Sequence, residues 1–172
     1  MQRVCLGMLR FCLAAWMGIA VFFVGLLIDL RQSDLFTPDA LFNHPKVLFP
    51  LYYGFELATL GPALACAFIG LGNARTGRAR KRATLAIVVI AAALAIWDYA
   101  IIYQNLVELM NAGHPGQPWP PEFHALHRLS RSLNTAIVGA IAAAAVLSHL
   151  PEIQESERIQ EPRRLTGGLI RP

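Results

Sequence analysis

Two acidic residues interrupt long apolar stretches of the chain, and they are the first residues that could do chemistry. Glu56 is the only charged residue in segment 48–71, and Asp98 is the only one in segment 83–106. A carboxyl group within hydrocarbon is costly and usually faces a bundle interior. If both segments are membrane-crossing helices, the acids lie at similar depth, about 12 Å from one surface. Two neighbouring carboxyls rarely both ionise. The pair therefore predicts a proton-linked or cation-binding site, or else a structural polar cluster.

Polar side chains also precede the fourth apolar segment. Helical spacings of three and four residues would place four of them on one face: His124, His127, Arg131 and Asn134. Arg131 is the natural counter-charge for either acid, and Asn134 can both donate and accept a hydrogen bond. The stripe could meet the two acids at one end of a bundle. The predicted polar cluster has six members: Glu56, Asp98, His127, Ser130, Arg131 and Asn134.

A histidine pair with this spacing can also bind a metal ion, with carboxylates as further ligands. The candidate metal ligands are His124, His127, Glu56 and Asp98. Haem is a further alternative, although His149 lies at the far end of the fourth segment, which strains a bis-histidine site. Ser130 near His127 lacks the Gly-x-Ser-x-Gly context of a hydrolase, and the three cysteines show no paired spacing. We therefore expect no catalytic residue, no cofactor-binding residue and no enzyme activity, with a bound metal ion as the alternative.

Composition indicates which elements must position these residues. Of 172 residues, 55% are hydrophobic and 15% are charged, against about 25% charged in a typical soluble domain. Apolar segments occupy about 11–30, 48–71, 83–106 and 130–149, and each approaches the length of a membrane-spanning helix. We predict an all-α, integral membrane four-helix bundle over residues 1–150. Residues 151–172 are expected to form a flexible cytoplasmic tail. The prolines at 118, 120 and 121 should break any helix before the fourth span.

Basic residues predict the orientation. The loop 73–82 holds Arg75, Arg78, Arg80, Lys81 and Arg82, and short loops rich in Lys and Arg stay cytoplasmic. Four spans then put both termini in the cytoplasm, with 11 basic residues inside and 4 outside. The net charge of +4 is therefore an orientation signal rather than a sign of nucleic-acid binding. The expected partners are the lipid bilayer and a second copy or another membrane protein.

Two further groups have structural interpretations. Tyr52, Tyr53, Tyr103 and Trp119 lie near span boundaries, where aromatic anchors are expected. The fourth span is rich in alanine and contains Gly139. Small residues let membrane helices approach closely, so this span is expected to pack inside the bundle.

Several local patterns together resemble a known family. The first span carries Trp-Met-Gly-Ile-Ala-Val-Phe-Phe (16–23), and the second opens with Leu-Phe-Pro-Leu-Tyr-Tyr (48–53). The fourth has Leu-His-Arg-Leu-Ser (126–130), followed by Leu133 and Asn134. This combination resembles the transmembrane protein 205-like family, which includes a bacterial domain of unknown function. Arg131 departs from the pattern, because an apolar residue is expected there.

The resemblance implies a four-helix fold in a bacterial inner membrane and supplies no established reaction. It carries over His127, Ser130 and Asn134 as polar residues of interest, and it implies structural roles for Phe49, Pro50 and Tyr53. It also suggests metal or xenobiotic handling. Three functions follow as hypotheses. The first is a non-enzymatic membrane or accessory protein, the second is a metal- or proton-linked transport or tolerance factor, and the third is a haem-binding membrane redox protein.

Overall fold

A computed structural model describes residues 1–72, 78–114 and 116–150, without the side chains of residues 38, 72 and 78. It contains five α-helices: α1 (Gln2–Gln32), α2 (Pro38–Gly72), α3 (Arg78–Trp97), α4 (Gln104–Ala112) and α5 (Pro121–His149). A π-helical turn, Asp98–Tyr103, joins α3 to α4, so these elements form one long third span. The described residues then contain four helices long and apolar enough to cross a membrane, and they contain no strand. The all-helical prediction is confirmed.

Local signals account for the helix boundaries. The Thr37 hydroxyl accepts a hydrogen bond from the Ala40 N–H, which caps the start of α2. Helix α5 starts where the prolines predicted a break, with Pro120 extended and Pro121 in the first helical position, where a missing N–H costs nothing. Helix α2 continues through Pro45, Pro50 and Pro62. The helices are longer than the predicted spans because their polar ends are helical as well.

The four spans form a ring in which each packs against two neighbours. Contacts join α1 to α2, α2 to α3, α3 to α5 and α5 to α1, so α2 lies diagonally opposite α5. The interior contains buried apolar side chains from every span, such as Leu13, Leu60, Val88 and Ile137. Large apolar side chains also cover the outside, as expected for helices that face lipid.

The expectation that the fourth span packs inside the bundle is wrong. In the most apolar 18-residue stretch of α5, only 17% is buried, which is the smallest share among the four spans. Ala136, Gly139 and Ala143 are exposed, and a Cβ on Gly139 would meet nothing within 4 Å. The small residues are distributed around the helix, so some line the interior and others form an outer face. The predicted tail (151–172) and the first half of the basic loop (73–77) lie outside the described residues.

Candidate functional site

Asp98 is the centre of a polar network inside the bundle. It is the first residue of the π-helical turn and is fully buried. One oxygen, Oδ2, accepts hydrogen bonds from the hydroxyls of Tyr53 (2.8 Å) and Ser130 (3.1 Å) and from Asn134 Nδ2 (2.9 Å). Hydrogen bonds to a carboxylate are among the stronger ones in proteins. Three donors on one oxygen therefore hold Asp98 in a single orientation.

The network continues from Asp98 through Asn134 to Tyr52 on α2. Asn134 Nδ2 also donates to the Ser130 carbonyl (3.1 Å), and Asn134 Oδ1 accepts from the Tyr52 hydroxyl (3.0 Å). The side chain of Asn134 is thus used as both donor and acceptor, as its chemistry allows. We call these five residues the Asp98 cluster: Tyr52, Tyr53, Asp98, Ser130 and Asn134. The cluster links α2, the π-helical turn and α5.

Helix geometry explains why these positions meet. Ser130 and Asn134 are four residues apart on α5, so they lie on one face. The π-helical turn has about one extra residue per turn, so residues five apart align, and both Asp98 and Tyr103 point inward. Turns of this kind are frequently found at functional sites. Tyr52 and Tyr53 are consecutive residues on the side of α2 that faces the interior, and both are buried.

Glu56 is the second buried acid and lies beside the cluster. It follows Tyr53 by one helical turn, is 1% exposed, and interacts electrostatically with Asp98. The indole N–H of Trp16 on α1 is the donor that acts on the Glu56 carboxyl, but the two groups do not have the geometry of a hydrogen bond. Glu56 Oε1, Asp98 Oδ1 and Trp16 Nε1 are all buried without a hydrogen-bond partner. Such orphaned buried atoms are rare in proteins and require an explanation.

Among the described residues, no cation neutralises the two acids. Within the part of the chain that the structure describes, the groups that act on Glu56 and Asp98 are Trp16, three neutral donors and the acids themselves. An isolated ionised carboxylate in an apolar interior is very costly. The arrangement is therefore suited to a carboxyl pair that holds a proton.

Aromatic rings surround the cluster. Tyr53 lies 4.7 Å from Tyr103 and 5.3 Å from Tyr99, and Tyr52 lies 4.7 Å from Phe23, measured between ring centroids. Phe49 packs against both Phe23 and Tyr103. These rings contribute large apolar contact areas and separate the cluster from its surroundings.

The structure brings together Asp98, Ser130 and Asn134, with Glu56 next to them. It leaves His127 and Arg131 outside, because both are exposed. Arg131 follows Ser130 by one residue, which is about 100° around the helix. Arg131 forms no ion pair with either acid, so its expected role as their counter-charge is wrong. The four residues His124, His127, Arg131 and Asn134 therefore do not form one group. Of these, Asn134 is the residue that faces the interior.

His124 and His127 lie near the N-terminal end of α5. The His127 ring stacks on Phe123, with centroids 5.9 Å apart and planes 8° apart, and His124 is exposed. His149 Nδ1 lies 2.8 Å from the Ala145 carbonyl. Among the described residues, no three His, Cys, Asp or Glu side chains are grouped to hold a metal ion.

The tyrosines are the residues whose role was misassigned from sequence. Tyr52 and Tyr53 were expected to be interfacial anchors, whereas both donate hydrogen bonds to the buried cluster. The signal was present in the spacing, since Tyr53 precedes Glu56 by three residues and must share its face. Trp119 stacks between Phe42 and Phe123 at centroid distances of 5.0 and 4.4 Å.

No family model, curated protein or solved structure matches the chain.

Proposed function

We propose that this chain is a non-enzymatic integral membrane protein whose Glu56–Asp98 pair binds a proton within the bundle. The observation that carries the proposal is the complete burial of both acids without a neutralising cation among the described residues. Ionisation of both would place two like charges side by side in an apolar interior, which is strongly unfavourable. One shared proton removes that cost.

The donor pattern supports a division of roles within the pair. Asp98 Oδ2 accepts three hydrogen bonds, which favours the charged form of a carboxyl. The Glu56 carboxyl is acted on by a single donor, the Trp16 indole, and so has less support for a charge than Asp98 has. We therefore assign the proton to Glu56 and the charge to Asp98.

The membrane location and the orientation of this site are proposed from the sequence. Four spanning-length helices support a membrane protein, and the basic-residue asymmetry favours cytoplasmic termini. A bacterial inner membrane and membership of the transmembrane protein 205-like family follow from the resemblance at residues 16–23, 48–53 and 126–134. In this orientation the carboxyl pair lies in the outer half of the bundle.

Infrared spectroscopy of the full-length protein in lipid bilayers tests the proton site. At neutral pH we expect a C=O stretching band from a protonated carboxyl that is lost in Glu56→Gln. Glu122→Gln is the matched control, because Glu122 is exposed at the start of α5, and it should leave the band unchanged. A wild-type spectrum without that band, or a band that persists in both Glu56→Gln and Asp98→Asn, overturns the proposal.

The geometry supports the metal- and haem-linked alternatives less well than it supports the proton site. A metal site would need His124 or His127 to reach the acids, and both are exposed. His149 is 22 residues from His127 on the same helix, about 33 Å along its axis, so the two cannot bind opposite faces of one haem. Elemental analysis and an absorption spectrum of one purified preparation test both alternatives.

A second candidate function is support of a membrane partner, or of a second copy, through α5. The observation that favours it is the exposed face containing Ala136, Gly139 and Ala143, since small residues allow close helix approach. Cross-linking in native membranes tests it, with Gly139→Leu as the variant. The substitution should abolish a cross-linked species without unfolding the chain, because nothing lies near a Cβ at this position.

A further inference from the structure

Three buried polar atoms of the bundle interior have no hydrogen-bond partner among the described residues. They are Trp16 Nε1 on α1, Glu56 Oε1 on α2 and Asp98 Oδ1 at the π-helical turn, and none of the three residues is more than 1% exposed. Both the Trp16 indole and the Asp98 carboxyl act on the Glu56 carboxyl. The unpaired atoms therefore belong to one group of interacting side chains, which joins the first three spans.

Direct contacts between these side chains do not satisfy all three atoms. The indole N–H of Trp16 acts on Glu56, yet the two groups lack the geometry of a hydrogen bond. A proton placed directly between the two carboxyls would pair their oxygens and would still leave the indole N–H without an acceptor. An unpaired polar group in an apolar interior is costly, so these atoms require a partner that none of the described side chains supplies.

The chemistry of the unpaired atoms indicates what that partner is. An indole N–H is only a donor, and an unprotonated carboxyl oxygen is an acceptor. A water molecule matches one donor and two acceptors, because its oxygen can accept from Trp16 while its two hydrogens are donated to Glu56 and Asp98. Buried waters in proteins typically make about three hydrogen bonds of this kind. A metal cation fits less well, since the indole would direct its positively polarised hydrogen towards the ion.

We propose that one buried water molecule bridges Trp16 Nε1, Glu56 Oε1 and Asp98 Oδ1, with Trp16 as the positioning residue that holds it. The inference rests on the proposed proton site and adds a third component to it. Asp98 Oδ2 already accepts three hydrogen bonds, and the water supplies a donor to the other oxygen of the same carboxyl. Donation to both acids supports the charge on Asp98 and leaves the proton on Glu56, so the pair is solvated inside the bundle by a neutral molecule.

Infrared difference spectra between acid and alkaline pH test the bridge in the full-length protein in lipid bilayers. The spectra are recorded in ordinary water and in water labelled with the heavy oxygen isotope. Besides the C=O band of the protonated carboxyl, we expect an O–H stretching band that shifts with the isotope. In Trp16→Phe this water band should be lost while the C=O band remains. Trp97→Phe is the matched control, because Trp97 is 46% exposed, and it should retain both bands.

The bridge and the proton site fail separately in this experiment. A water band that is lost in Trp16→Phe, without any C=O band in the wild type, supports the bridge and overturns the proton site. A C=O band without an isotope-sensitive O–H band, or with one that persists in Trp16→Phe, overturns the bridge alone.

A second test uses the wild type, because Trp16 is among the largest fully buried side chains and its variant could fail to fold. An experimental structure that resolves ordered waters should place a water oxygen about 2.7–3.2 Å from each of the three unpaired atoms. A direct hydrogen bond from Trp16 to Glu56, or a metal cation at this position, overturns the proposal.

Discussion

Tyr52 donates its hydroxyl hydrogen bond to Asn134 Oδ1 across 3.0 Å and so joins two helices that are diagonal in the bundle. The same amide donates to Asp98, which also accepts a hydrogen bond from Tyr53, so the third span is bonded to both α5 and α2. Contacts between the aromatic rings around the cluster would be enough to hold neighbouring helices together. A polar contact along the diagonal additionally specifies how α2 and α5 are rotated, because a rotation of either would leave buried polar groups without partners.

Removal of single hydroxyls tests the hydrogen bonds of the Asp98 cluster. Tyr53→Phe should lower the free energy of unfolding by about 0.6–1.7 kcal/mol, the range measured for hydrogen bonds between membrane helices. Tyr52→Phe should have a similar or smaller effect, because its bond to Asn134 is only partly buried. Denaturant titration in mixed micelles measures both. Tyr99→Phe is the control, since Tyr99 is exposed and should be close to neutral. An equal loss in all three would contradict a specific contribution from the buried hydrogen bonds of Tyr52 and Tyr53.

The two acids should respond differently to neutral isosteres. Asp98→Asn retains one oxygen with two lone pairs, so one of the three present donors loses its partner, at a cost of about 1–3 kcal/mol. Glu56→Gln resembles a protonated carboxyl in shape and charge, and it should cost less than about 1 kcal/mol. Unfolding free energies of the two variants measure the difference. A larger loss for Glu56→Gln than for Asp98→Asn would reverse the assignment of the proton.

The sequence was informative about spans and acids because both depend on composition and spacing. Long apolar segments predict spanning helices directly, and a lone acid in such a segment must face inward. The rotation of α5 and the π-helical turn at Asp98 were not predictable in this way. A turn that widens by one residue leaves no pattern in the amino-acid types, yet it decides that Asp98 and Tyr103 both point inward. The inward face of α5 similarly follows from packing, which separates Asn134 from Arg131.

Labelling in intact cells tests the proposed orientation. Gln117 is exposed in the connection between α4 and α5, which lies outside the cytoplasm if both termini are inside. Gln117→Cys should therefore react with a membrane-impermeant maleimide added to whole cells. The wild type is the control, because its three cysteines lie on α1 and α2, where Cys12 is buried. Labelling of Gln117→Cys only after the cells are broken would contradict the cytoplasmic placement of the termini.

Gly113 lies against Trp119 in the connection that leads into α5. A Cβ added at Gly113 would lie 2.8 Å from Trp119 Cζ3, closer than packed atoms allow. Gly113→Ala should therefore displace the indole from its stack with Phe42 and Phe123, at a cost of about 1–3 kcal/mol typical of overpacking. Unfolding free energy and tryptophan fluorescence measure the two consequences.

Gly139→Ala is the matched control for this prediction. Its Cβ would meet nothing within 4 Å, and alanine is favoured over glycine in a helix by about 0.8–1.0 kcal/mol. The two glycine-to-alanine changes should thus have opposite signs, with Gly113→Ala destabilising and Gly139→Ala neutral or stabilising. If Gly113→Ala left both stability and fluorescence unchanged, the Trp119 stack would not depend on the missing side chain.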